Sequence, residues 1–159
     1  MPATTVSTPA EQRYFEDYAL GAVFEFGATT VTEAELVAFA RTYDPQAFHI
    51  DRDAAAVSMF GGLIASGWHT AALTMRMLVD HYLSKVASLA SPGVDELRWL
   101  APVRPGDVLH VRVTVQDARR SRSRDDRGVV TSSIEVLNQH EVVVMTVKAV
   151  NLLLTRPAV

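Results

Sequence analysis

Residues 67–86 read "GWHTAALTMRMLVDHYLSKV", and the way this stretch is buried decides the fold. The spacing of Trp68, Ala71, Ala72, Met75, Leu78, Val79 and Leu83 predicts a helix from Gly67 to about Val86 with a broad apolar surface. Such a helix has to be enclosed, and the sequence after it supplies strands to do so. "VDELRWLAPV" (94–103) reads as a strand ended by Pro102, and "RPGD" (104–107) as a turn. "VLHVRVTVQD" (108–117) alternates, with Leu109, Val111, Val113 and Val115 on one face. Two further strands are expected at about 128–138 and 141–154, joined by the polar tip "NQHE" in a hairpin.

Upstream, "AVFEFGATTVT" (22–32) is rich in aromatic and β-branched residues and predicts a first strand. Thr32 and Glu35 form a capping-box pattern, and Leu36, Phe39 and Ala40 share one face of a helix expected over about 33–43. Asp51 is placed to cap a further short helix, "RDAAAVS". The resulting order is strand, helices, long helix and then four strands in a meander: an α+β domain whose antiparallel sheet curls around one helix.

Length and composition agree. A chain of 159 residues, 48% hydrophobic and 21% charged, suits one globular domain. We expect a single domain over 13–155 and a disordered tail over 1–12 ("MPATTVSTPAEQ"). The formal charge of −3 gives no overall drive toward nucleic acid or acidic membranes. With no cysteine, the chain has no disulfide, thiolate metal site or cysteine nucleophile, and it is compatible with the cytoplasm, the expected compartment. The start resembles no signal peptide, and no apolar run approaches a membrane span.

The candidate chemistry lies in "TYDPQAFHID" (42–51). Pro45 disfavours helical geometry at Asp44, so the chain from Asp44 to about His49 is expected to be irregular. Asp44 and His49 are five positions apart. Either Asp44 caps a turn starting at Pro45, or carboxylate and imidazole converge on one water. Next comes "GGLIASGWHT" (61–70). Gly67 either permits close packing or offers a backbone N–H, at the positive end of the helix, to a substrate oxygen.

With these blocks in view, "YDPQAFHID", "FGGLIASGWHTAALTMRMLVD" and "LRWLAPVRPGDVL" together resemble the MaoC-like dehydratases. These form a branch of the hotdog fold that includes the (R)-specific enoyl-CoA hydratases, and the resemblance runs from about Tyr14 to Leu154. It implies a curved antiparallel sheet wrapped around one long central helix, and at least a homodimer. It places the catalytic aspartate on Asp44, the catalytic histidine on His49 and the oxyanion-hole N–H on Gly67. Phe60, Gly62, Ser66 and Trp68 are the expected substrate contacts. The implied reaction is reversible hydration of a trans-2-enoyl thioester to a 3-hydroxyacyl thioester, with coenzyme A as part of the substrate and no other cofactor. The chain departs from the family pattern at Gln46 and Ala47, where asparagine and proline are usual, at Ser66, where many relatives carry histidine, and at Ala72, in the place of a serine.

Two alternatives stay open: a hotdog thioesterase, and a noncatalytic acyl-thioester-binding protein. "DARRSRSRDDRG" (117–128), with five arginines and three aspartates, could meet RNA or the phosphates of coenzyme A, but such runs are usually solvated hairpin tips. The five histidines are scattered without ligand spacing, so no metal is expected.

Overall fold

The structure is a computed structural model that describes residues 8–158. Strand β1 (Val23–Thr30) leads into helix α1 (Glu33–Tyr43), two short helices, α2 (Ala47–Ile50) and α3 (Arg52–Ala56), and the long helix α4 (Gly67–His81). Strands β2 (Ser88–Trp99), β3 (Val108–Arg120), β4 (Arg127–Leu137) and β5 (Val143–Leu154) complete the chain. All pairings are antiparallel, in the order β1-β3-β4-β5-β2. The expected four-strand meander is therefore only β3-β4-β5. β2 lies at the far edge and pairs with β5, so the connection after it has to span β5 and β4 to reach β3.

The alternation in β3 works as its sequence requires. Leu109, Val111, Val113 and Val115 are buried at 1% exposure or less, and they face Met77 and Leu78 of α4 in one core. The close approach of β1 to α4 depends on Gly27. Its φ is +89°, and an added Cβ would press on the Met77 side chain.

Three boundaries differ from expectation. The long helix stops at His81 rather than near Val86. The guanidinium of Arg13 donates to the carbonyls of His81 (2.9 Å) and Tyr82 (3.1 Å), and the Tyr18 hydroxyl donates to Tyr82 O (2.8 Å). Side chains thus satisfy the last carbonyls that another helical turn would have used. Ser84 Oγ then accepts from Val86 and Ala87 N–H and turns the chain into β2, which begins at Ser88, six residues before the expected Val94.

Residues 8–12, expected to be disordered, take part in the fold. Thr8 donates to Asp17, Ala10 is buried and accepts from Lys85 N–H, and a 3-10 turn spans Ala10–Gln12; residues 1–7 lie outside the described residues. Finally, the segment Asp44–His49 is not wholly irregular. Asp44 ends α1 with φ −150°, as Pro45 demands, but the chain resumes one helical turn at Ala47 and His49 lies within it.

β3 and β4 run further into the arginine-rich segment than its composition suggests. Arg119, Arg120 and Arg127 are paired with Asp117, Glu16 and Asp126. No helix among the described residues is long and apolar enough to cross a membrane.

Candidate active site

α1, the α2 turn and the N-terminus of α4 meet at one place. Thr32 Oγ1 accepts from Glu35 N–H to begin α1, which carries Asp44 at its end. The α2 turn then directs His49 inward, where it is 4% exposed. His49 Nε2 lies 3.3 Å from Asp44 Oδ2, and His49 Nδ1 lies 2.7 Å from the carbonyl oxygen of Ile64. A carbonyl only accepts, so that bond requires the proton on Nδ1. In the neutral ring, Nε2 then presents its lone pair toward Asp44.

Asp44 is held on both oxygens. Gln46 Nε2 donates to Oδ1 at 2.7 Å and Ser66 Oγ donates to Oδ2 at 2.7 Å. The Ser66 bond first, and the Gln46 bond next, hold the Asp44 carboxyl below its ordinary range, so the group stays ionised.

A cavity of about 350 Å³ opens beside His49, with Phe60, Ile64, Gly67, Thr70 and Trp99 among its walls. Gly67 is the first residue of α4, and its N–H finds no acceptor among the described residues. The site thus sets an imidazole and a helix N-terminus on the wall of one partly apolar chamber, with an ionised carboxylate 3.3 Å from the imidazole.

The structure brings Asp44 and His49 together and puts Gly67 on the wall of the same cavity as His49. Phe60 lines the cavity, with its ring 5.3 Å from that of Phe48. The other expected contacts lie elsewhere. Ser66 is fully buried and donates to Asp44, so its hydroxyl is turned into the protein rather than presented as a surface for substrate. Gly62 faces the Arg104 side chain outside the cavity lining. Trp68 is 59% exposed and lines a second, apolar cavity of about 290 Å³ with Met75, Leu78, Val94 and Met145.

Trp99 escaped the sequence reading. Its Nε1 donates to Gly67 O at 2.9 Å, its ring packs on Gly67 Cα, and Trp68 meets it edge-on at 5.2 Å. Strand periodicity places Trp99 in β2 but says nothing of what lies across from it.

This contact gives one expected result. A Cβ at residue 67 would overlap the Trp99 ring, so Gly67→Ala should cost about 1–3 kcal/mol of stability and blue-shift or red-shift tryptophan emission. Urea unfolding with an unchanged midpoint and an unchanged emission spectrum would refute it. His69 lies nearby, 5% exposed, stacked on Phe39 at 4.8 Å, with a buried Nδ1 that has no partner among the described residues. Burial pushes its pKa down and keeps it neutral.

Comparison with known proteins follows the same lines. A family model described as a MaoC like domain matches residues 17–138. The crystal structure of a MaoC-like dehydratase from Rhodospirillum rubrum superposes with a TM-score of 0.85 at 44% identity, covering 92% of this chain and 99% of that one. The chain is 33% identical over 116 residues to 3-hydroxybutyryl-CoA dehydratase of Methylorubrum extorquens, covering 70% of this chain and 69% of that protein. It is 31% identical over 109 residues to 3-hydroxyacyl-thioester dehydratase Z of Mycobacterium tuberculosis, covering 67% of this chain and 72% of that protein.

Proposed function

This chain belongs to the MaoC-like domain family, with the hotdog fold, and on that footing we propose that it adds water reversibly to a trans-2-enoyl thioester, with coenzyme A as the carrier. The observation that carries the reading is the 3.3 Å approach of His49 Nε2 to Asp44 Oδ2 at a cavity that also contains the first N–H of α4.

In this reading the attacking water sits in the cavity beside the pair, within reach of His49 Nε2. In the hydration direction, His49 Nε2 takes a proton from this water while its oxygen bonds to C3. The C2–C3 π electrons shift toward C1, and the thioester oxygen becomes the enolate oxygen. Gly67 N–H and the helix dipole stabilise that charge, an effect worth about 3 kcal/mol per donor in other enzymes. The imidazolium, paired with the Asp44 carboxylate, returns the proton to C2. Delivery of both fragments from one side gives one enantiomer of the 3-hydroxyacyl thioester, the (R) product in our reading.

The assay is loss of the conjugated thioester absorbance across a panel of trans-2-enoyl-CoAs. Turnover of at least one supports hydration. No turnover of any member overturns it, and release of free thiol from saturated acyl-CoA would point to a thioesterase.

We further propose that the protein works as a homodimer joined along β2 and α4. β2 is an edge strand with one side unpaired, and Leu89 and Val94 are 41% and 56% exposed on it. Trp68, Met75 and Val79 continue the apolar surface along α4 at helical spacing, at 59%, 49% and 43% exposure. A second copy would cover both and close the 290 Å³ cavity between them. Val94→Asp should convert a dimer to monomer in sedimentation velocity at micromolar concentration, and a wild-type monomer there would refute the arrangement.

A further inference from the structure

We propose that Ser66 is a positioning residue that ties the Asp44 carboxylate to the N-terminus of α4, so that one side chain sets both the carboxylate that faces His49 and the oxyanion donor. Ser66 is the N-cap of α4, immediately before Gly67, and is fully buried. Its hydroxyl has one hydrogen to give. Asp44, as a carboxylate, can only accept, so the 2.7 Å contact with Oδ2 fixes where that hydrogen goes. A hydroxyl lone pair accepts from Trp68 N–H at 3.3 Å. Both capacities are engaged inside the protein, which leaves Ser66 neither a nucleophile nor a substrate contact.

The consequence for Asp44 is geometric. The oxygen that Ser66 holds is the one facing His49 Nε2. Gln46 holds the other, and together the two donors fix the plane of the carboxylate. Without Ser66, rotation about the last side-chain bond would swing Oδ2 away from the imidazole. His49 is the titratable group that faces Asp44 here, and Gln46 and Ser66 are its neutral neighbours. A helix cap alone would need only the acceptor half of this arrangement; the donated hydrogen to Asp44 is the part that capping does not explain.

The two roles separate experimentally. Glycine caps helices nearly as well as serine but has no hydroxyl, so Ser66→Gly keeps the start of α4 and removes the donor. In the full-length protein, carbon-detected NMR of the Asp44 carboxyl should show its titration moving to higher pH in both Ser66→Gly and Ser66→Ala. The kinetic arm rests on the hydration reading above. There, kcat should fall on the order of 10- to 100-fold, with KM changed by less than about twofold. In an Asp44→Asn background, Ser66→Gly should lower kcat by less than about twofold further, because the group it serves is already gone.

An unmoved Asp44 titration in Ser66→Gly overturns the proposal, as does an undiminished loss of kcat in the Asp44→Asn background. If the wild-type protein hydrates no enoyl thioester, the hydration reading falls, while the NMR titration still decides whether Ser66 holds Asp44.

Discussion

Replacing His49 by alanine is expected to lower kcat for enoyl-thioester hydration by about 100- to 10,000-fold, the range of a lost general base. The ring is 4% exposed and anchored through Nδ1 to Ile64 O, so Nε2 cannot turn away from Asp44 without breaking a buried bond. Among the described residues, alanine removes the one imidazole that lines the 350 Å³ cavity, and no other described lining residue offers a lone pair of similar basicity. Asp44→Asn should fall in the same direction for a different reason. It keeps an oxygen for Ser66 but removes the charge that stabilises the imidazolium.

The Asp44 carboxyl has its folded pKa depressed below the ordinary carboxylate value, chiefly by Ser66. Its contribution to stability is therefore present above its unfolded pKa and is lost as the pH falls through the lower folded value. The neutral range lies above that window, so Asp44 stays ionised throughout it. Full activity in His49→Ala would exclude His49 as the base.

Tyr82→Ala is expected to have the largest effect on stability, about 3–5 kcal/mol in urea unfolding. Tyr82 is 2% exposed just beyond α4, and its ring meets Tyr18 edge-on at 5.3 Å and Phe24 edge-on at 5.0 Å. Its hydroxyl is 2.7 Å from Ser132 Oγ, which is itself fully buried in β4. Truncation removes the ring that joins α4 to β1 and leaves Ser132 without a partner. Tyr82→Phe keeps the ring and strands only the serine, so it should cost about 1–3 kcal/mol. Equal costs for the two variants would show that the hydrogen bond, not the aromatic packing, dominates.

The same cluster predicts weakening in alkali. Burial pushes the Tyr18 hydroxyl from 10.0 up to about 12 and raises that of Tyr82 as well. A folded pKa above the unfolded one gives stability that is complete below about pH 10 and is lost as the pH rises through the folded value. The urea midpoint should therefore decline from about pH 10 upward.

Much of this architecture is written locally. The alternation of Leu109 to Val115 is enough to assign β3 and its buried face, since in a strand every second side chain points the same way. Thr32 and Glu35 locate the start of α1 at Glu33, because an N-cap satisfies groups only three residues away. Pro45 ends that helix at Asp44 for an equally local steric reason. The end of α4 was not legible in this way. It is set by Arg13 and Tyr18, more than 60 positions earlier in the chain, and no periodicity within residues 67–86 encodes their arrival.

The site divides along the same line. Sequence by itself determined that Asp44 and His49 flank a proline break and that a glycine opens the central helix, because turn chemistry and family spacing act over a few residues. Only the tertiary structure decided that Ser66 gives its hydrogen to Asp44, that Ile64 O fixes the tautomer of His49, and that the Trp99 ring packs on Gly67. Each of these contacts joins segments 15 to 32 positions apart, and such contacts depend on how helices and sheet pack rather than on any local preference of the chain.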